Sequence, residues 1–211
     1  ISSYPQPWLL TREEAVRALH AFRMEDVIIG SEAVIAGTVT RGELRWNYRS
    51  IFPDIYVPKT IEPTLAHRTK GAWLWSRRRG VITGQAAAAL HGAKWIDDDT
   101  PVEVLWSNNR YPDGIIARRE RIAPGEITRI DGIPVATPAR TALDLGRQLP
   151  RGEAVARLDA LGQATDVAAA DILGQGALHI TGHLGRQIVV AHMGFLVRGR
   201  RSDKPPKTMM I

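Results

Sequence analysis

Between residues 100 and 137 the chain alternates short β-branched runs with turn signals. PVEVLW, GIIARRE, EITRI and IPVA are separated by Asn-Asn, Pro-Asp-Gly, Pro-Gly and Asp-Gly. Runs of this length, so punctuated, are strands, and their spacing predicts a small antiparallel meander. Helical signals flank it. Thr83 precedes GQAAAALH, which stops at Gly92. Thr137-Pro138 puts a cap and an N1 proline before ARTALDLGRQ. Pro150 opens RGEAVARLDALGQ, and Asp166 opens a third helix to about residue 173. Upstream, a helix is predicted over 63–78, with Leu65, Ala66, Trp73 and Leu74 as its core face. Strands grouped together and flanked by helices define the α+β class.

The first half of the chain carries a different pattern. In GSEAVIAGTVTRGELRWNYRS, Ser31 is placed to cap a short helix to Ala36, with Gly37 as its stop. Thr40 then opens a second helix to about Tyr48, with Glu43 completing a capping box. A short helix, a turn and a second helix form the outline of a helix-turn-helix. The following SIFPDIYVP offers two β-type runs broken by Pro53-Asp54, a wing-like hairpin. Residues 11–22 are also predicted helical, with Thr11 and Glu14 as another capping box.

Composition narrows the function. The 211 residues are 44% hydrophobic and 24% charged, enough to bury a core. There is no cysteine, which excludes disulfides, thiolate zinc sites and cysteine nucleophiles and suits a reducing cytoplasm. The charge-free stretch 80–93 is too short and too alanine-rich to span a bilayer, so no membrane partner is expected. The opening ISSYPQPWLL lacks the basic start of a signal peptide. Net charge is +6, but residues 194–211 carry five basic side chains against Asp203 alone, a local +4. The basic pI of 10.0 is therefore weak evidence for a nucleic-acid partner.

Side chains that could do chemistry are sparse. Arg41, Arg45 and Arg49 recur at four-residue steps, either as a DNA-facing helix surface or as a solvated one. Residues 63–80 hold Arg68, Lys70, Arg77, Arg78 and Arg79 with no acid, which suits a polyanion or a helix C-terminus equally. His179 and His183 have an i, i+4 spacing without a third ligand, and Asp97 to Asp99 read as a solvated loop, so no metal is expected. Gly174 and Gly176 lack the third glycine of a dinucleotide loop. No phosphate-binding loop, no nucleophile elbow and no acid two residues before any lysine is present, so no catalytic residue and no cofactor are assigned.

IIGSEAVIAGTVTRGEL, FPDIYVP, AWLWSRRRGVITGQAAAALHGAKWIDDDTPVEV and GIPVATPARTALDLGR together resemble a group of bacterial proteins. These join an N-terminal winged-helix region of the AbiEi antitoxin type to a nuclease domain similar to very-short-patch-repair endonucleases. The resemblance spans about residues 24–173, and TPARTALDL is its most specific piece. It implies a recognition helix with Thr40, Arg41, Arg45, Asn47 and Arg49 on DNA, and Tyr56 and Lys59 on the wing. It also implies a division into an extension at 1–23, a winged-helix-like region at 24–62 and an α+β domain at 63–174. The last part, 175–211, is expected to be an irregular, truncated or out-of-frame tail where the nuclease half would begin. The function so implied is non-enzymatic DNA binding and regulation. Two alternatives stay open: an endonuclease-family protein or nuclease subunit that assembles with a separate nuclease chain, and an antitoxin module that neutralises a partner toxin through the domain at 101–173.

Overall fold

The computed structural model of the chain describes residues 26–108, 110–165 and 167. The helix expected over 11–22, most of the helix expected from Asp166, His179, His183, the 174–176 glycines and the segments 1–23 and 175–211 lie outside the described residues.

The described chain is α+β, as its signals predict. It begins β1 (Ile28–Ile29), α1 (Gly30–Ile35), α2 (Arg41–Asn47), β2 (Tyr48–Phe52) and β3 (Ile55–Pro58). There follow α3 (Leu65–Trp75), β4 (Val81–Thr83), α4 (Gly84–Leu90), β5 (Val102–Leu105) and β6 (Ile115–Arg118). A 3-10 turn at Pro124–Glu126 leads into β7 (Ile127–Ile130), β8 (Ile133–Ala136), α5 (Pro138–Gln148) and α6 (Arg151–Ala164). The first three strands form an antiparallel sheet in the order β1-β3-β2.

The second sheet has the order β6-β5-β4-β8-β7 and is mixed, which corrects the expected antiparallel meander. Only β7–β8 and β4–β5 are antiparallel; β6 runs parallel to β5, and β8 parallel to β4. The reason lies in the connections. Asp131-Gly132 is a tight hairpin turn with both residues at positive φ. The Pro-Asp-Gly signal instead lies in the connection from β5 to β6, which returns the chain to the same end of the sheet so that the two strands pair in parallel.

One cluster of buried side chains joins the two sheets. It runs from Val27, Phe52, Ile55 and Val57 through Leu65, Ala72 and Leu74 to Ile82, Val102, Val104 and Val135. A second cluster lies among α4, α5 and α6, where Ala88, Ala139 and Ala142 meet Leu145, Leu158 and Leu161. The alanines let these helices approach closely, and each buried leucine contributes about 1.5–3 kcal/mol.

Between the helices and the second sheet sits a buried charge network. Arg140, 1% exposed, donates from Nε to both oxygens of Asp144 at 3.0 and 3.1 Å. Its Nη1 donates to the Arg121 carbonyl at 3.0 Å and to Glu126 at 3.3 Å, and its Nη2 to Glu120 at 3.2 Å. Asp144, fully buried, also accepts from Thr83 Oγ1 at 2.5 Å and from Arg147 Nη2 at 2.6 Å. Thr83 was expected to cap α4; its hydroxyl goes to Asp144 instead. Thr137 does cap α5, accepting from the Arg140 amide at 3.4 Å.

Glu103 borders this network, buried and paired with Arg118. Burial pushes its carboxyl upward against the pull of Arg118. Its carboxylate occupies the space a side chain would need at residue 84, where φ is +62°, so Gly84 is required twice over.

A buried ion pair broken on one side leaves an uncompensated charge, at a cost of about 3–5 kcal/mol. Asp144→Ala is therefore expected to lower stability by about that amount in chemical denaturation, and Arg147→Ala, at the half-exposed margin, by clearly less.

Candidate nucleic-acid interface

The helix pair of the first half forms as its caps predict, with one exception. Thr40 Oγ1 accepts from the Glu43 amide at 3.1 Å, while Glu43 Oε2 accepts from the Thr40 amide at 2.8 Å. This is the capping box, and its hydrogen bonds hold the Glu43 carboxyl below the usual range, the one from the Thr40 backbone most strongly. Gly37, at φ +69°, ends α1: its amide donates to the Val34 carbonyl at 3.1 Å and the Thr38 amide to Ala33 at 3.0 Å.

Ser31 does not cap α1, which starts one residue earlier at Gly30. Instead Asp54, in the β2–β3 turn, accepts from the Ser31 amide at 2.9 Å and the Ser31 hydroxyl at 2.5 Å. The Asp54 carbonyl also accepts from the Gly30 amide at 2.9 Å. The hairpin turn is thus fastened to the start of α1. Proline followed by Asp54 at φ +63° was the available signal, since Asp is a cap residue as well as a turn residue.

The predicted interface residues separate into two sets. Thr40, Arg41, Arg45 and Asn47 lie on or beside α2 and are exposed. No residue of α2 is fully buried; Leu44 is half-buried and faces Gly30 and Tyr56. A side chain at residue 30 would lie 2.6 Å from the Tyr56 ring and 2.9 Å from Leu44, so Gly30 lets the three elements meet. The outermost position of α2 belongs to Trp46, 73% exposed, with the Arg45 guanidinium 5.9 Å from its ring centroid.

The second set is turned toward the protein. Arg49 was placed on the same helical face as Arg41 and Arg45, but α2 ends at Asn47 and Arg49 belongs to β2, opposite Val57. Its guanidinium pairs with Glu62 at 3.0 Å and donates to the Lys59 carbonyl at 3.1 Å. Lys59 clasps the end of α2: Nζ donates to the Arg45 carbonyl at 3.0 Å, and its amide to Asn47 at 2.8 Å. Tyr56 is half-buried in β3, with its ring against Gly30. The cations and aromatic of this set are engaged in building the unit.

One further ion pair joins this unit to α3. Arg78 makes a two-point contact with Glu32 of α1, at 2.5 and 2.8 Å. The hydrogen bond from Arg78 holds the Glu32 carboxyl below its usual range. Arg77 and Arg78 are both left-handed, at φ 56° and 60°, a conformation that costs non-glycine residues about 1–3 kcal/mol each.

The Asp97 to Asp99 triplet has a structural use. Asp98 Oδ1 accepts from the Leu65 amide at 2.7 Å, at the start of α3, and its carbonyl accepts from Arg68 at 2.7 Å. Among the described residues no group of three His, Cys, Asp or Glu side chains is arranged to hold a metal ion, and no helix is long and apolar enough to cross a membrane.

Residues 80–180 match the family model of the AbiEi antitoxin C-terminal domain. That stretch holds the second sheet, α4, α5, α6 and the Arg140 network, and is just under half of the chain. No curated protein and no solved structure matches the chain.

Asp54→Ala removes a cap and is expected to cost about 0.5–2 kcal/mol, read as a lower midpoint of thermal unfolding. The depressed carboxyl of Glu43 stabilises the fold above its unfolded pKa, and that contribution fades as pH falls through the folded one. Glu43→Gln keeps the capping geometry without the titration. Its stability is expected to fall less steeply than the wild type as pH drops below the usual carboxylate range.

Proposed function

We propose that the chain is a non-enzymatic, DNA-binding regulatory protein of the AbiEi antitoxin type, with α2 as the element that enters the major groove. One observation carries this reading: α2 is held at both ends and on one side, yet buries no residue completely. A helix built only for packing would bury its middle. The capping box, the Lys59 clasp and Leu44 fix its orientation, leaving Arg41, Arg45, Trp46 and Asn47 exposed.

The element order strand, helix, helix, strand, strand, with β3 between β1 and β2, is the order expected of a winged helix and supports the same reading. The hairpin turn is only Pro53-Asp54 and is occupied with α1, so the wing is minimal. Base readout would then fall to Arg41, Arg45 and Asn47, residue types that recognise guanine and adenine edges. Arg49, Tyr56 and Lys59 support that helix from behind.

A second role is favoured by the family match. The match of residues 80–180 to an antitoxin domain supports a partner toxin, neutralised through that domain. The relation to endonuclease-domain proteins rests on sequence resemblance alone. Metal-dependent cleavage of duplex DNA by the purified chain would favour the nuclease alternative over the regulatory one.

The direct test is electrophoretic retardation or fluorescence anisotropy with duplex DNA, including the region upstream of its own gene, across a salt series. Binding is expected to weaken with salt. Arg41→Ala with Arg45→Ala is expected to weaken binding at least tenfold, because one lost base contact is worth about 1–3 kcal/mol. Absence of any salt-dependent complex would refute the reading.

A further inference from the structure

The α1–α2 unit lacks the charge that a duplex demands. Between residues 26 and 62, Arg41, Arg45, Arg49 and Lys59 stand against Asp26, Glu32, Glu43, Asp54 and Glu62. Arg49 is paired with Glu62 and Lys59 with the end of α2, so only Arg41 and Arg45 face outward. Proteins that hold DNA commonly neutralise several phosphates, about 6–10 in strong cases. The next stretch, 63–80, supplies Arg68, Lys70, Arg77, Arg78 and Arg79 with no acid.

The arginine turn at the end of α3 is built in an unusual way. The Arg77 amide donates to the Leu74 carbonyl at 2.8 Å and the Arg78 amide to Trp73 at 3.0 Å, closing the helix. The first of these positions is left-handed and is usually glycine. Here it is Arg77, followed by a second left-handed arginine. The turn closes without help from the guanidinium groups: Ser76 Oγ donates to Trp73 at 2.6 Å and accepts from the Gly80 amide at 2.9 Å. Nothing in the folding of this turn calls for arginine at 77 or 79. Both are exposed and make no ion pair among the described residues. Arg78 alone reaches back, pinning the turn to Glu32 of α1.

In helix-turn-helix docking the first helix crosses the sugar-phosphate backbone while the second enters the groove. The turn that carries Arg77 and Arg79 is held to that first helix by Arg78. We propose that Arg77 and Arg79 are phosphate contacts to duplex DNA, extending the α2 interface onto the backbone crossed by α1. Arg78 and Glu32 are the positioning pair. The proposal rests on the reading of α1–α2 as a DNA-binding unit.

The experiment compares the full chain with the double variant Arg77→Gly, Arg79→Ala over a salt titration against several unrelated duplexes. Glycine suits the left-handed position, so thermal unfolding of the variant is expected at or above the wild-type midpoint. Binding is expected to weaken by a similar factor on every duplex, and the slope of log K against log salt to fall by about 0.9 per arginine, near 1.8 in all. An unchanged slope in a variant of native stability overturns the proposal while leaving the DNA reading intact. A loss confined to particular sequences overturns it too, since that marks base contact. If the wild-type chain binds no duplex, the underlying reading fails and the proposal falls with it.

Discussion

The Arg140–Asp144 pair is the interaction on which the rest of the structure depends. Two fully buried charges of opposite sign are tolerable only when nearly every donor and acceptor is used. The guanidinium reaches Asp144, Glu126, Glu120 and a backbone carbonyl, while the carboxylate adds Thr83 and Arg147. Those partners lie on α5, β4, the 3-10 turn and the segment before it, so one pair sets the spacing of four parts of the chain. With α5 so fixed, Ala139, Ala142 and Leu145 meet α4 and α6. With β4 so fixed, Ile82 enters the same core as Phe52, Ile55 and Val57. The part of the chain from β4 to α6 thereby becomes the platform on which the α1–α2 unit stands.

That unit follows a different logic. Few of its side chains are buried, so its geometry is held by polar contacts at its ends: a capping box, the Asp54 bridge, the Lys59 clasp and the Arg78–Glu32 pair. Only Arg78–Glu32 among these is an ion pair, and exposed pairs of that kind add little stability, with a median of about 0–1 kcal/mol. Their effect is orientation. The proposed DNA-binding role requires α2 to keep its outer face free, and burying it would remove Arg41, Arg45 and Asn47 from reach.

Much of this was legible in the sequence because local rules fix it. Thr40 and Glu43, Gly37, and Thr137 with Pro138 each mark a helix end through contacts within four residues, and each holds in the structure. What was hidden depends on distant partners. Strand direction in the second sheet follows from pairings between β4 and β8 or β5 and β6, which no turn dipeptide encodes. Arg49 fits the helical period of Arg41 and Arg45, yet pairing of β2 with β3 ended the helix first. The Arg140 network was invisible because Arg, Asp and Glu normally mark solvated faces. One signal existed: ARTALDLG is small or apolar on every side except Arg140 and Asp144, four residues apart, which leaves them no solvated face of their own.

Amide hydrogen exchange on the full chain, with and without a saturating duplex, tests the central claim most directly. The account predicts added protection at α2 and at the turn around residues 76–80, with β7, β8 and α6 unchanged. Protection confined to residues 102–164, or none in a complex shown to form, would contradict it.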